Sequence, residues 1–308
     1  MEREKIISEI TRLKKEKDVI ILAHFYTDPQ VQDLADYIGD SLGLSQMAAN
    51  TSAKIILFCG VKFMAETASI IAPDKKVLLP DPTAGCSLAE SIKSSDVIAW
   101  RKKNPDVVVV SYVNTTAEVK AHTDICCTSA NAIRVINSIP EGRKIFFIPD
   151  KNLSSFVKIK TGRDIDIWDG DCCVHEYFDT KMVLEESSKY PDADLLIHPE
   201  SNCSHDPLIY KKPNSYILST TGMIKRVGES DASRFLIVTE PGVIHRMKKL
   251  YPNKEFIPCD EYNECMQMRK ITLEKMLTSL LEEIHEVKVP EDIRQRAYPS
   301  IDKMLKVG

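Results

Sequence analysis

The sequence predicts an α/β protein built of three pseudo-symmetric αβα units, with short parallel sheets arranged around a central cavity. One pattern recurs three times along the 308 residues. The apolar runs within it are continuous rather than alternating, which marks parallel strands buried on both faces. Helical stretches separate those runs, as parallel connections require.

The chain opens on a helix pattern over 3–17, where Ile6, Ile7, Ile10 and Leu13 recur at helical spacing. The first copy then reads VIILAH at 19–24, Asp40-Ser41, KIILFCGVKFMAE at 54–66 and KVLLPDPTAGC at 76–86. The second reads VVVVSY at 107–112, Thr128-Ser129, KIFFIPDKNLSSFV at 144–157 and DIDIWDGDC at 164–172. The third reads ADLLIH at 193–198, Thr220-Thr221, RFLIVTEPGVIHRM at 234–247 and KEFIPCDEYNEC at 254–265. Each copy is expected to form a strand, a polar loop, a helix, a second strand, a helix and a third strand ending near a cysteine. Further helices are expected at 94–104 and 179–190, where Pro105 and Pro191 stop them before the next strand. From Thr272 onward the chain is helical again, with a break at Val289-Pro290. The expected units are 1–88, 89–174 and 175–266, with 267–308 a helical tail that packs back on the first.

Composition narrows the function classes. A formal charge of −4 and a pI near 6.0 provide no basic field for nucleic acid or an anionic membrane. No apolar run approaches the roughly 18–20 residues of a membrane span. Residues 1–17 are charged and amphipathic, so no secretory signal is expected. Nine cysteines without a CxxC read as reduced thiols, metal ligands or core fillers in a cytoplasmic protein.

The spacing picks out particular residues. His24, Tyr112 and His198 lie 88 and 86 residues apart, and Cys86, Cys172 and Cys265 lie 86 and 93 apart. His24 to Ser41 and Tyr112 to Ser129 are both 17 steps. Ligands of parallel sheets bind beyond the carboxyl ends of the strands. His24 with Tyr26, Tyr112 with Asn114, His198 with Glu200 and the three cysteines all fall there. One thiolate from each unit would make a three-cysteine site. Adjacent Cys173 competes with Cys172, and spacing does not separate them; we assign Cys172. Cys59 and Cys259 end apolar strands, Cys203 sits in a loop, and Cys126 and Cys127 have no counterparts in the other copies. Three thiolates suit either a catalytic zinc or a 4Fe–4S cluster with one iron exposed. The cluster is the better fit to ligands arriving from three units.

Ser41, Ser129 and Thr220-Thr221 each open an apolar-periodic segment and are good N-caps. Three helix N-termini at one centre would also hold carboxylates or phosphate. His24, His198, Tyr26, Glu200 and His175 would surround such an anion as acids, bases and orienters. His122, His205 and His245 lack a matched position. Neither GxGxxG nor a P-loop is present, so no nucleotide site is indicated.

AHFYTDPQVQDLADYIGDSL, GVKFMAE, YVNTTAEVKAHTDICCTSANA, FIPDKNL, CCVHE, HPE and STTGM together resemble the quinolinate synthase family over essentially the whole chain. The resemblance implies a triangular array of three αβα units around a 4Fe–4S cluster. It implies condensation of iminoaspartate with dihydroxyacetone phosphate to quinolinate, with loss of phosphate and two waters, and a transient contact with the enzyme supplying iminoaspartate. By motif, Cys86, Cys172 and Cys265 match the cluster ligands. His24, Tyr26, Ser41, Tyr112, Asn114, Ser129, His175, His198, Glu200, Thr220 and Thr221 match substrate-cavity residues, with Glu200 the expected base and Tyr26 and His198 relaying protons. The chain departs from the family pattern at Phe25 and Thr27, where Asn and Gln are frequent, and at Cys173, where Pro is frequent. Another hydro-lyase with an open cluster iron, or a non-catalytic iron–sulfur sensor, are the alternatives.

Overall fold

The computed structural model describes residues 3–308 and places their strands in three four-stranded parallel sheets. The first holds β1 (Val19–His24), β2 (Tyr37–Gly39), β3 (Ile55–Cys59) and β4 (Lys76–Leu78) in the order β2-β1-β3-β4. The second holds β5 (Val108–Tyr112), β6 (Ile125–Cys127), β7 (Ile145–Ile148) and β8 (Ile165–Ile167), ordered β6-β5-β7-β8. The third holds β9 (Asp194–Ile197), β10 (Ser215–Ile217), β11 (Arg234–Val238) and β12 (Glu255–Pro258), ordered β10-β9-β11-β12. One topology is thus written three times.

In every sheet the first strand lies between the second and the third. Leu22 pairs with Tyr37 and Phe58, Val110 with Ile125 and Phe147, and Leu196 with Tyr216 and Ile237. The chain therefore reverses its winding beside β1, β5 and β9, which opens a crevice at their carboxyl ends. Ile21, Leu22, Ile56 and Leu57 are fully buried because helices cover both faces. Each such side chain contributes about 1.5–3 kcal/mol by leaving water.

Each unit has one strand more than the sequence pattern suggests. β2, β6 and β10 are three-residue edge strands just ahead of the Ser/Thr segments. They are too short to show a hydrophobic run, and their existence depends on pairing with the exit of the central strand. The helices before the first strands are Arg3–Glu16, Ser94–Lys103 and Thr180–Ser188, close to the expected ranges.

In the tail, helix Leu273–Glu282 packs on helix Arg3–Glu16. Pro290 caps the final helix, Glu291–Val307, which lies against helix Lys62–Ile71 but also against β6 and helix Ala117–Lys120. Asn131 Nδ2 donates to Met304 O at 3.2 Å, so this helix ties the second unit to the first. No helix among the described residues is long and apolar enough to cross a membrane.

Candidate active site

The carboxyl ends of the three sheets open onto one cavity of about 90 Å³. His24, Tyr26 and Ser41 reach it from the first unit, and Tyr112, Asn114 and Ser129 from the second. His175, His198, Glu200 and Thr220 line it as well, together with Cys86, Cys172 and Cys265. Thr221 is exposed and stands outside the wall, unlike its neighbour Thr220.

The helix starts differ from the expected caps by one position or more. Asp40 caps helix Ser41–Asn50 by accepting from Gly43 N at 2.9 Å, and Ser219 caps helix Thr220–Glu229 by accepting from Gly222 N at 3.2 Å. In the second unit Asn131 Oδ1 accepts from Thr128 N at 2.7 Å, and the helix begins at Ala132. Ser41 and Thr220 are therefore first-turn residues rather than caps, and Ser129 lies in the preceding turn. The Ser41 and Ser129 hydroxyls are left for the cavity, while Thr220 Oγ1 lies 3.2 Å from Tyr26 OH. No lysine or arginine lines this wall, so an anion here would rest on hydroxyls and the N–H groups of the helix starts.

His24 and His198 repeat one local geometry. Tyr26 N donates to His24 Nδ1 at 3.2 Å, and Glu200 N donates to His198 Nδ1 at 3.4 Å. Both rings accept at Nδ1, which puts the remaining proton on Nε2 in the neutral form. Burial holds both pKa values down to about 3, so both are neutral at pH 7.

Glu200 is buried at the centre of a polar chain. The Tyr112 hydroxyl donates to Oε1, while His175 Nδ1 lies 3.4 Å from Oε2. Burial would raise the Glu200 pKa, but His175 foremost, with the hydrogen bond from Tyr112, outweighs it and keeps the carboxyl ionised. Burial raises Tyr26 and Tyr112 well above the ordinary phenol value, which leaves both as donors. Thr239, absent from the sequence-predicted set, is fully buried and joins the parts. Its Oγ1 lies 2.7 Å from both His175 Nε2 and Tyr26 OH. A continuous path thus runs from Tyr26 through Thr239 and His175 to Glu200 and Tyr112. Thr239 directly follows β11, so the strand-end rule applied to the third strand of each sheet's order would have marked it. Asn114 Oδ1 is buried without a partner in the cavity wall. Such orphans are rare in native structures and mark a place for a ligand donor.

The three cysteines share a setting. Each opens a helical turn, with Glu90 N donating to Cys86 O, Glu176 N to Cys172 O and Arg269 N to Cys265 O. Cys86 Sγ faces the N–H groups of Ala89 and Leu88, Cys172 Sγ that of His175, and Cys265 Sγ those of Met268 and Gln267. Such nests favour bound sulfur anions. Burial nevertheless pushes the Cys86 thiol up to about 12 and raises the other two. The set thus suits thiolates held by a cationic centre, and the fit to a metal group rests on that donor chemistry. Cys172 and Cys173 both line the cavity, but Cys172 is half-buried whereas Cys173 is exposed.

Cys172, His175 and Glu200 also place one donor atom each within 4.8 Å of one another. These atoms already satisfy one another, since His175 Nδ1 lies 3.3 Å from Cys172 Sγ as well as beside Glu200. Cys59, Cys126, Cys127, Cys203 and Cys259 are buried away from the cavity. His245 pairs with Asp33 at 2.6 Å, and neither it, His122 nor His205 reaches the cavity. Phe25 and Thr27 are buried outside the wall, with Thr27 Oγ1 donating to His24 O at 2.8 Å.

A family model described as "Quinolinate synthetase A protein" matches residues 8–306. A protein named quinolinate synthase from Pyrobaculum aerophilum is 51% identical over 301 residues, covering 97% of this chain and 98% of the relative. One of the same name from Thermus thermophilus is 47% identical over 308 residues, covering 100% and 99%. A third, from Gloeothece citriformis, is 47% identical and covers 98% and 94%.

Proposed function

This chain belongs to the quinolinate synthetase A family, and from that premise we propose that it is a quinolinate synthase acting in NAD biosynthesis in the cytoplasm. It would condense iminoaspartate with dihydroxyacetone phosphate and release quinolinate, phosphate and two waters. Those atoms balance without any oxidant. The chemistry needed is proton removal beside a carbonyl, departure of phosphate and elimination of hydroxyl groups. Acids, bases and anion-holding N–H groups perform such steps.

Cys86, Cys172 and Cys265 would hold a 4Fe–4S cluster, one from each unit. When bound, the cluster supplies a Lewis-acidic iron with an open position that polarises a substrate oxygen. The exposure of Cys173, against the deeper placement of Cys172 beside His175, favours Cys172 as the second ligand. Ionised Glu200 is the base, fixed by Tyr112 and His175. Tyr26 is the acid, and His175 with Thr239 returns to it the proton that Glu200 removes. His198 and neutral His24 donate from Nε2 to substrate oxygens, and Asn114 meets a substrate donor at its orphaned Oδ1. The helix starts at Ser41 and Thr220 and the turn at Ser129 receive the carboxylates and the phosphate, with Thr221 assigned to a surface role. A transient contact with the enzyme that makes unstable iminoaspartate belongs to the same proposal.

The observation that carries this reading is the convergence of three similarly built cysteine turns on the cavity that holds the Tyr26–Thr239–His175–Glu200 path. Anaerobically reconstituted protein, given iminoaspartate formed in situ and dihydroxyacetone phosphate, should produce quinolinate, identified by mass spectrometry. Glu200→Gln should lower that rate by about 10²–10⁴-fold with the metal retained. Metal-loaded wild type that makes no quinolinate would overturn the assignment.

A further inference from the structure

Cys265 lies on the least regular of the three cysteine segments. Residues 259–267 form no helix or strand, and Tyr262 and Met266 on it are 85% and 69% exposed. Something other than local secondary structure must set its sulfur against Cys86 and Cys172. Two side chains staple the segment to the other cysteine turns. Asn263 Nδ2 donates to Val174 O at 2.8 Å, and Gln267 Oε1 accepts from Gly85 N at 3.1 Å.

The third hold is a buried ion pair. Glu240 directly follows Thr239 and is fully buried. Its Oε1 accepts from Cys265 N at 3.4 Å and from Arg269 Nη2 at 2.7 Å, and its Oε2 accepts from Gly242 N at 2.6 Å. Arg269 uses its other arm on the first unit, with Nη1 donating to Tyr26 O at 2.8 Å. Its Nη2 also reaches Glu264 at 2.9 Å, beside the cysteine. The planar guanidinium fork directs one nitrogen to the carboxylate and the other to the separate Tyr26 carbonyl in a fixed geometry. The same node is packed too closely for any side chain at Gly242. A Cβ there would stand 2.7 Å from Glu240 Oε2, 3.0 Å from Phe25 O and 3.1 Å from Tyr26 Cα. Gln32 closes the other side, its Nε2 lying 2.8 Å from Phe25 O, 2.9 Å from Thr27 O and 3.1 Å from Gly242 O.

We infer that Glu240 and Arg269 are positioning residues that lock the Cys265 segment and the Tyr26 turn to the exit of β11, so that the metal site and the proton path assemble together. Neither residue lines the cavity, which separates this role from chemistry on the substrate. The inference rests on Cys265 being a ligand, the reading proposed above.

The test begins with anaerobic apoprotein. Iodoacetamide labelling of each cysteine is followed by peptide mass spectrometry in wild type, Arg269→Lys and the charge-free pair Glu240→Gln/Arg269→Gln. Arg269→Lys keeps the charge opposite Glu240 but loses the arm to Tyr26. In both variants Cys265 should alkylate roughly tenfold faster, as local opening of its segment becomes easier, while Cys86 and Cys172 keep their wild-type rates. After reconstitution, iron should pass to a chelator faster from both variants, and kcat should fall more than KM rises because Tyr26 is displaced. An unchanged Cys265 rate in both variants overturns the inference. So does an equal rise at all three cysteines, which would mean general loosening. Wild type that takes up no iron or makes no quinolinate would sink the functional reading, yet would leave the alkylation contrast as it stands.

Discussion

Thr239 shows how much one hydroxyl governs in this cavity. It is the link between Tyr26 OH and His175 Nε2, both at 2.7 Å. Thr239→Val keeps the shape and removes that link, leaving Tyr26 with only a 3.2 Å contact to Thr220. Turnover should drop on the order of 10²-fold, as for loss of one proton-transfer group. Stability should drop by about 1–3 kcal/mol for the unpaired buried nitrogen. Steady-state kinetics beside thermal melting checks both, and a variant with full turnover would remove Thr239 from the path. The residues that recur by position, such as His24, His198 and the cysteines, were legible from spacing alone. Thr239 was not, because its counterparts after β3 and β7 are Gly60 and Pro149, which carry no matching chemistry. Its role exists only where two units face each other.

At the scale of elements, the contact of the tail with the first unit has a pH signature. Lys275 on helix Leu273–Glu282 bonds Asp81 at 2.6 Å, just after β4. Burial would raise the Asp81 carboxyl, but Lys275 and Thr83 more than offset it and hold the pKa at about 2, below the ordinary 3.8. A depressed carboxylate adds stability that is fully present above the unfolded pKa and is lost as pH falls through the folded one. Asp81→Asn should therefore cost about 1 kcal/mol at pH 7, discounted for the exposure of Lys275. The difference from wild type should shrink between pH 4 and pH 2. Urea unfolding of both proteins across that range measures it, and a pH-independent difference would contradict the assignment. Gly242→Ala makes a second prediction at this scale. Crowding against Glu240 and the Tyr26 backbone should cost about 1–3 kcal/mol, seen as a lower melting temperature. A melting temperature equal to wild type would mean that the close approach is not enforced. The helices and longer strands were readable because their apolar faces repeat over many residues. β2, β6 and β10 were hidden by their length, and the cap shift to Asp40 and Ser219 was hidden because adjacent residues in each motif are equally good caps.

For the whole molecule, the repeated strand order and the repeated cysteine turns express one design of three units facing a shared centre. That much followed from spacing, since equal intervals place equal positions at equivalent strand ends. What spacing could not reveal is the set of ties between units, such as Asn263 to Val174 and Arg269 to Tyr26, because each pairs residues with no repeat partner. The central claim is that Cys86, Cys172 and Cys265 together hold one cluster. The most direct test is iron, sulfide and visible-absorbance analysis of anaerobically prepared wild type, Cys172→Ala and Cys173→Ala. The account predicts about four irons and four sulfides per chain in wild type and Cys173→Ala, with the brown chromophore lost in Cys172→Ala. A chromophore lost in Cys173→Ala but kept in Cys172→Ala, or stoichiometric zinc in the wild type, would contradict it.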